Sequence, residues 1–455
     1  MIVAFLLLAA LGDWVPARWA SNDPKSLDLV GETPINCLLI ERPLWSQEFA
    51  QQAARRGIAT LGVVRQNSDA ISAARLAKSF AFSGVVMEGP FEEAAAEHIR
   101  KVLADSAIPL VELTTRGRMH FDSAAPIVGT FQGVWPGVQA QDDHGSAKSG
   151  PSGAPWINTN TGFLRFARAS TQSAIWIANA PPEKTAIGVS QYLHAVGDAG
   201  LAGARWVVAL DEDLNRRVLA RDPAALLVWR QIGAHLKYYE EHKDWRAMRA
   251  HSNLALVEDV DTGALLSGGV LDMIAVKHTP VRPIPYAKIS PAAMQGTKIA
   301  VDVNPPALSP EQREVLKAFT RSGGTLFTGP PGWKFRSLRK DEITLEKVDL
   351  DRLDEIWKEL NSLMGRTNLG ARLFNVSSML SNLLEAPDQK QVVLQLVNYT
   401  DFPVENITAH VLGSFHTAKL LRPNQPPRTL ETYAVEDGTG IDIDQIGALA
   451  TLILE

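Results

Sequence analysis

The sequence predicts an α/β protein: a (β/α)8 TIM-like barrel, a small flavodoxin-like α/β domain and a C-terminal antiparallel β-sandwich. Three observations carry this. Between residues 35 and 211 about eight short apolar strands are mostly separated by helical stretches, the pattern of a parallel sheet closed by crossover helices. From about Ser252 a shorter strand–helix alternation follows. From Gln391 strand formers recur between turn residues without a helical period, as in a sandwich. The implied segments are residues 1–20 for an export signal, 21–248 for the barrel and 249–335 for the flavodoxin-like domain. Residues 336–388 form a linker with a helix, and 389–455 the sandwich.

The first barrel strand is read at 35–40 and ends at Glu41. Helix 46–56 follows, with Phe49, Ala50, Ala53 and Ala54 on one face and Gly57 as its stop. Strand 58–64, helix 69–79, strand 84–87 ending at Glu88, helix 92–105 and strand 108–113 carrying Glu112 continue the series. A fifth strand at 125–131 comes after only about ten residues, too few for a full crossover helix. Residues 132–155, rich in Gly, Ser and Pro, read as a functional loop or an insertion. Strand 156–160, helix 163–170, strand 174–178, helix 189–201, strand 204–210 and a closing helix at 222–241 complete the barrel. In the second domain, strand 254–257, a buried or helical stretch at 270–276 and strand 297–303 precede a helix with Ser309 as N-cap and Pro310 first. Gly323 and Gly324 cap that helix before strand 325–328, and the linker helix is read at 350–365.

Composition bounds the function. The 455 residues are 45% apolar and 21% charged, enough for two or three ordinary cores. The net charge of −5 is spread without basic runs, which argues against nucleic acid and against an anionic membrane surface as partners. The N-terminal run Met1-Ile2-Val3-Ala4-Phe5-Leu6-Leu7-Leu8 is too short for a bilayer span but has the length of a signal-peptide core. No Lys or Arg precedes it; the other reading is a buried N-terminal segment. Ala9, Ala10, Gly12, Ala17 and Ala20 are the small residues at which a cleavage would fall. Secretion or periplasmic export is therefore expected.

The single cysteine, Cys37, excludes an internal disulfide, and its apolar strand makes it a buried structural thiol. No phosphate-loop fingerprint opens a helix, and the second domain lacks the cysteine that amidotransferase chemistry requires. That domain is expected to be structural or to make a homo-oligomer. Asp142, Asp143 and His144 find no further ligand at a telling spacing, so neither a metal nor a cofactor is expected.

In a barrel, chemistry sits where the strands end. That rule selects Glu112, Glu88 and Asp211 as catalytic candidates. Two carboxylates across one mouth serve as acid and base, or acid and nucleophile, on a glycosidic bond. Glu112 ranks first if Leu110, Glu112 and Thr114 face inward, because desolvation would then favour its protonated form. Glu41, Trp45, Arg116, Trp156, Asn158, Asn160 and Asn179 are candidate binding residues at the same mouth. Each has a plain structural alternative: an ion pair for Glu41, a helix start for Glu88 and Asp211, turns for Asn158 and Asn160, core packing for tryptophans such as Trp176.

The run Gly203-Ala204-Arg205-Trp206 with Asp211, the helix and strand spanning residues 309–325, and Leu396-Val397-Asn398-Tyr399 carry a likeness of architecture. In the order of its parts the chain resembles secreted bacterial TIM-barrel glycoside hydrolases of the β-galactosidase type, with an amidotransferase-like trimerisation domain. The resemblance implies a secreted carbohydrate-active hydrolase without cofactor, acting on a glycan. It also implies an Asn-Glu acid/base pair after the fourth strand and a nucleophilic Glu at the end of the seventh. Here Val111 precedes Glu112, and Asn179 stands at the seventh strand, with Glu183 four residues on. These departures set the alternative: a non-catalytic carbohydrate-binding or scaffold protein on the same barrel.

Overall fold

The computed structural model describes residues 11–66, 69–105, 108–121, 124–136, 139–143, 146–150, 159–259, 278–328, 347–376 and 378–455. Its chain divides into two compact units, one made of Met1–Gly150, Thr171–Val196 and Ala204–Glu241, the other of Pro151–Ser170, Gly197–Gly203 and His242–Glu455.

The first unit is the barrel. Strands β1 (Pro16–Arg18), β2 (Cys37–Ile40), β3 (Ala59–Arg65), β4 (Gly84–Glu88), β5 (Leu110–Thr114), β6 (Ile127–Thr130), β7 (Ala174–Ile177) and β8 (Arg205–Trp206) lie parallel in that spatial order. A parallel bridge between Ala17 and Val208 closes the ring. Arg18 N–H donates to the Val208 carbonyl at 2.7 Å, and Val208 N–H to that of Pro16 at 3.1 Å. Helices α1 (Gln47–Arg55), α2 (Ala70–Ala77) and α3 (Glu93–Ala104) fill the crossovers after β2, β3 and β4. Between β5 and β6 the described residues hold only a short 3-10 turn, as the spacing required. Helix α4 (Thr161–Ser170), which belongs to the second unit, precedes β7 in the chain; α5 (Val189–Leu201), whose last turn from Gly197 also falls in the second unit, α6 (Glu212–Leu219) and α7 (Pro223–Glu241) follow.

The fold class is as expected, but the strand count shifts by one. The first strand is Pro16–Arg18, inside the stretch assigned to an export signal, and residues 35–40 hold the second. Trp156, Asn158 and His144 lie outside the described residues, as do Met1 to Ala10 and the stretch 270–276.

Alternation decides what faces inward. Trp14, Cys37, Leu39, Leu61, Val63, Val86, Val111, Leu113, Ile127, Trp176 and Val207 form one buried cluster, to which every strand or its extension contributes alternate residues. Cys37 belongs to it, and burial raises its thiol pKa well above the usual value. It is the structural thiol expected. One further inward position reaches Glu41 at the end of β2, Arg65 on β3 and Glu88 on β4, and two inward positions beyond Trp14 reach Arg18 on β1.

In the second unit, β9 (Leu254–Glu258), β10 (Arg282–Pro285), β11 (Ile299–Asp302) and β12 (Thr325–Thr328) form a parallel sheet in the order β10-β9-β11-β12. Apolar residues cover both faces. Leu254, Leu256 and Val301 pack with Ile356 and Leu360 of α9 (Lys347–Met364), while Ala255, Val257 and Ala300 pack with Leu316 and Phe319 of α8 (Pro310–Arg321). Ser309 and Gln312 make a reciprocal capping box at the start of α8.

At the carboxyl end of β11, Asp302 is fully buried and accepts from the Tyr286 hydroxyl at 2.6 Å and Asn304 N–H at 3.1 Å. Burial raises the Asp302 pKa, outweighing these two bonds, which lower it. A carboxyl whose folded pKa lies above its unfolded value binds its proton more tightly when folded. Stability must therefore fall as pH rises from the ordinary aspartate range through the folded pKa. Asp302→Asn removes this fall, so its stability relative to the wild type is expected to increase with pH. Urea midpoints of both proteins between about pH 4 and pH 7 test it, and parallel curves would reject it.

The sandwich follows. Its strands are β13 (Ala371–Phe374), β14 (Met379–Glu385), β15 (Val392–Asn398), β16 (Val404–Leu412), β17 (Ala418–Leu421), β18 (Arg428–Leu430), β19 (Thr432–Val435), β20 (Gly438–Ile446) and β21 (Leu449–Leu454). One antiparallel sheet runs β13-β16-β20-β19; the other runs β14-β15-β21-β17-β18, with Arg249–Ala250 added at the β14 edge. Both sheets supply the core, including Leu394, Leu452, Ile407 and Ile443. Sandwich strands thus begin at Ala371, within the stretch read as linker.

Candidate functional site at the barrel mouth

The inward positions at the carboxyl ends of β1 to β4 carry two arginines and two glutamates, which form a single ion-paired quartet. Arg18 Nη1 donates to Glu41 Oε1 at 3.1 Å and Arg18 Nη2 to Glu88 Oε1 at 2.5 Å. Arg65 Nη2 donates to Glu41 Oε1 at 2.7 Å, and Arg65 Nη1 lies 3.6 Å from Glu88 Oε1. One planar guanidinium therefore bridges the two carboxylates. Glu88 is only 6% exposed.

Beside the quartet lies an open cleft of about 920 Å³, walled by the loops after β1, β2, β7 and β8. Arg18, Glu41, Glu183, Lys184, Asp211 and Arg216 are among its lining residues. Its position is where barrel ligands bind.

The other candidates are placed differently. Glu112 does not enter the mouth: Val111 and Leu113 face the interior, so Glu112 faces the helical layer. There both its oxygens accept from Arg100 of α3, at 2.7 and 3.0 Å. This corrects the inward orientation expected of Leu110, Glu112 and Thr114; the desolvated proton donor has no counterpart. The pair is about 30% exposed, with 30% for Arg100 and 31% for Glu112, so its contribution is at most about 1 kcal/mol. Glu112→Gln is accordingly expected to shift the unfolding free energy by no more than about 1 kcal/mol and to leave ligand binding unchanged. A binding defect in a folded variant would return Glu112 to the site.

Asp211 caps helix α6. Its Oδ1 accepts from Leu214 N–H at 3.0 Å and its Oδ2 from the Tyr192 hydroxyl at 2.8 Å, leaving it committed to structure. Burial is the largest cause raising the Tyr192 pKa. Trp45 packs outside the barrel: Gly62 leaves room for its ring, its Nε1 donates to the Ile40 carbonyl at 2.9 Å, and Arg42 lies over it at 4.5 Å. Arg116 ties two mouth loops together, donating from its backbone N–H to Gln132 Oε1 at 2.8 Å and from Nε to the Gln132 carbonyl at 3.0 Å. Asn179 Nδ2 donates to the Gly133 carbonyl at 2.7 Å. Asn160 lies in the second unit, where its N–H and Nδ2 both donate to Asp198 Oδ2 at 2.7 Å.

Arg18 and Arg65 were missed in the sequence. Arg65 follows inward Val63 by two positions, a signal that was legible; Arg18 was hidden in the presumed leader. The corrected count also makes Glu88, not Glu112, the residue at the end of the fourth strand, preceded by Met87.

No protein-family model and no curated protein matches the chain. In structure it is similar to the alpha-L-fucosidase isoenzyme 2 from Paenibacillus thiaminolyticus, with a TM-score of 0.61 and 8% identity over 97% of this chain and 99% of that one. A rhamnosidase from Novosphingobium sp. PP1Y gives a TM-score of 0.46 at 10% identity, covering 90% of this chain and 39% of that one, and carries no argument. The chain therefore shares the fold of that fucosidase, a TIM barrel with C-terminal antiparallel sheets.

Proposed function

We propose that the chain is a carbohydrate-binding protein built on a glycoside-hydrolase barrel that no longer hydrolyses, with the mouth cleft as its glycan site. The observation that carries this reading is the quartet. A general acid needs a proton and a substrate oxygen beside it. Glu88, at the position of the acid/base, instead accepts from Arg18, faces Arg65 and is buried. The seventh strand leads to Asn179, which is bonded to the chain itself. Glu112 is paired with Arg100, and Asp211, although it lines the cleft, caps α6 and accepts from Tyr192. The cleft still offers exposed Glu183 and Lys184 for the hydroxyls of a sugar. An end-to-end fold likeness to an enzyme named as a fucosidase supports a carbohydrate as ligand.

A glycan array read beside chromogenic glycosides tests the proposal. Binding that weakens in Lys184→Ala, without turnover of any glycoside, is the expected result. Turnover that disappears in Glu183→Gln would overturn it and restore the hydrolase.

Export belongs to the same proposal. Trp14 lies in the barrel interior, and the Gly12 carbonyl accepts from Arg205 Nη1 at 2.5 Å. Cleavage after Ala17 or Ala20 would remove β1 or part of its setting, so the mature end is expected at or before Leu11. N-terminal sequencing of protein recovered outside the cell checks this; a mature end beyond Pro16 would exclude it.

A further inference from the structure

We propose that the solvent face of the sandwich sheet β13-β16-β20-β19 is a second glycan-binding site, a flat platform for a neutral polysaccharide chain. It is independent of the barrel cleft. Leu373, Ala409, Ile441 and Ile443 turn into the sandwich core, so Arg372, Phe374, Thr408, His410, Gly440 and Asp442 turn outward. They form two cross-strand rows. One runs Arg372, His410, Gly440, Tyr433, and the other Phe374, Thr408, Asp442.

The rings sit at the two ends of the platform. At the β19 edge Tyr433, 39% exposed, lies flat across Gly440, where any Cβ would collide with the ring. At the β13 edge Phe374 packs against His410 with ring centroids 4.7 Å apart, and the Arg372 guanidinium lies over the Phe374 ring at 5.3 Å. Between them Asp442 Oδ1 accepts from Thr408 Oγ1 at 2.7 Å and from the Tyr433 hydroxyl at 3.1 Å. These bonds hold the ring down and leave the exposed carboxylate's other oxygen toward solvent. The backbones of Tyr433 and Phe374 stand three strand spacings apart, about 14 Å, and both rings lean inward, Tyr433 over Gly440 and Phe374 against His410.

The chemistry selects the occupant. Pyranose rings present apolar C–H faces that stack on flat aromatics and a rim of hydroxyls that both donate and accept. Tyr433 supplies the open face and Phe374, covered by Arg372 and His410, an apolar edge; Asp442 accepts, Arg372 has N–H groups left beyond its 2.6 Å bond to the Arg366 carbonyl, and Thr408 fixes the carboxylate between them. One cation and one anion give the platform no net charge, which disfavours a polyanion such as alginate and favours a neutral chain.

Affinity electrophoresis of the full chain through gels containing xyloglucan, galactomannan, mixed-linkage β-glucan or alginate tests the proposal. Retardation by at least one neutral polysaccharide is expected, weakened about tenfold in Tyr433→Ala and little changed in Tyr433→Phe. Asp442→Ala should weaken it as well, with circular dichroism confirming the fold of each variant. Glycans whose array binding weakens in Lys184→Ala belong to the cleft and are left out of the gels, so failure of the cleft reading and failure of the platform are separable. No retardation by any neutral polymer, equal retardation of Tyr433→Ala, or retardation by alginate alone would overturn the proposal. So would self-association in sedimentation that Tyr433→Ala abolishes while polysaccharide binding is absent, since the face would then seat a second copy of the chain.

Discussion

Replacing Arg18 by methionine is expected to destabilise the barrel by about 3 kcal/mol, the lower end of the range for removing one partner of a buried ion pair. The loss comes from the carboxylate left behind. Glu88 is buried and would keep only Arg65, at 3.6 Å, while Glu41 is more exposed and retains its 2.7 Å bond to Arg65. Methionine matches the aliphatic stem of arginine, so packing losses stay small and the charge effect dominates. The double variant Arg18→Met, Glu88→Leu should recover most of the loss, because apolar replacement of a whole buried pair is often neutral or stabilising. Urea unfolding followed by tryptophan fluorescence reads both. A single-variant loss under about 1 kcal/mol, or a double variant no better than the single, would show that the quartet does not hold the mouth together.

How much of this was legible depends on whether the cause is local. The alternation of β2 to β5 with helices, the Ser309 capping signal and the short link before β6 are near-neighbour patterns, and the structure keeps them. Asp211 was equally legible: an aspartate three residues before Leu214 at a helix start is a cap. The outward turn of Glu112 was available in principle, since a closed barrel interior rejects an unpaired charge and Val111 and Leu113 offered an apolar face. The partner that stabilises it, Arg100, lies on the preceding helix, and no periodicity names it. Trp45 after a strand end read as a mouth residue, yet its seat is Gly62 on the next strand, a long-range fit invisible in one sequence. Arg18 was lost because the apolar run before it matched a leader, although its own role comes from closing the ring against Val208.

Trp176→Ala is expected to cost about 3–5 kcal/mol, the usual range for emptying a large aromatic from a closed core. Trp176 is 0% exposed and sits in the barrel interior with Leu113, Ile127 and Val207, one from each of several strands, so the ring cannot collapse inward without moving the backbone. Phenylalanine should behave differently. The indole Nε1 is buried without a hydrogen-bond partner among the described residues, and such an orphaned donor costs about 1–3 kcal/mol. Trp176→Phe removes that penalty along with part of the volume, so a net change within about 1 kcal/mol is expected. The alanine cavity is lined by apolar side chains and should stay dry, as such cavities do, and accept a small aromatic. Thermal unfolding in the presence of indole therefore separates the two effects: indole should raise the midpoint of Trp176→Ala and leave those of the wild type and Trp176→Phe unchanged. If Trp176→Phe loses as much stability as Trp176→Ala, the orphaned indole N–H carries no cost. If indole fails to raise the alanine variant, the interior has closed over the missing ring.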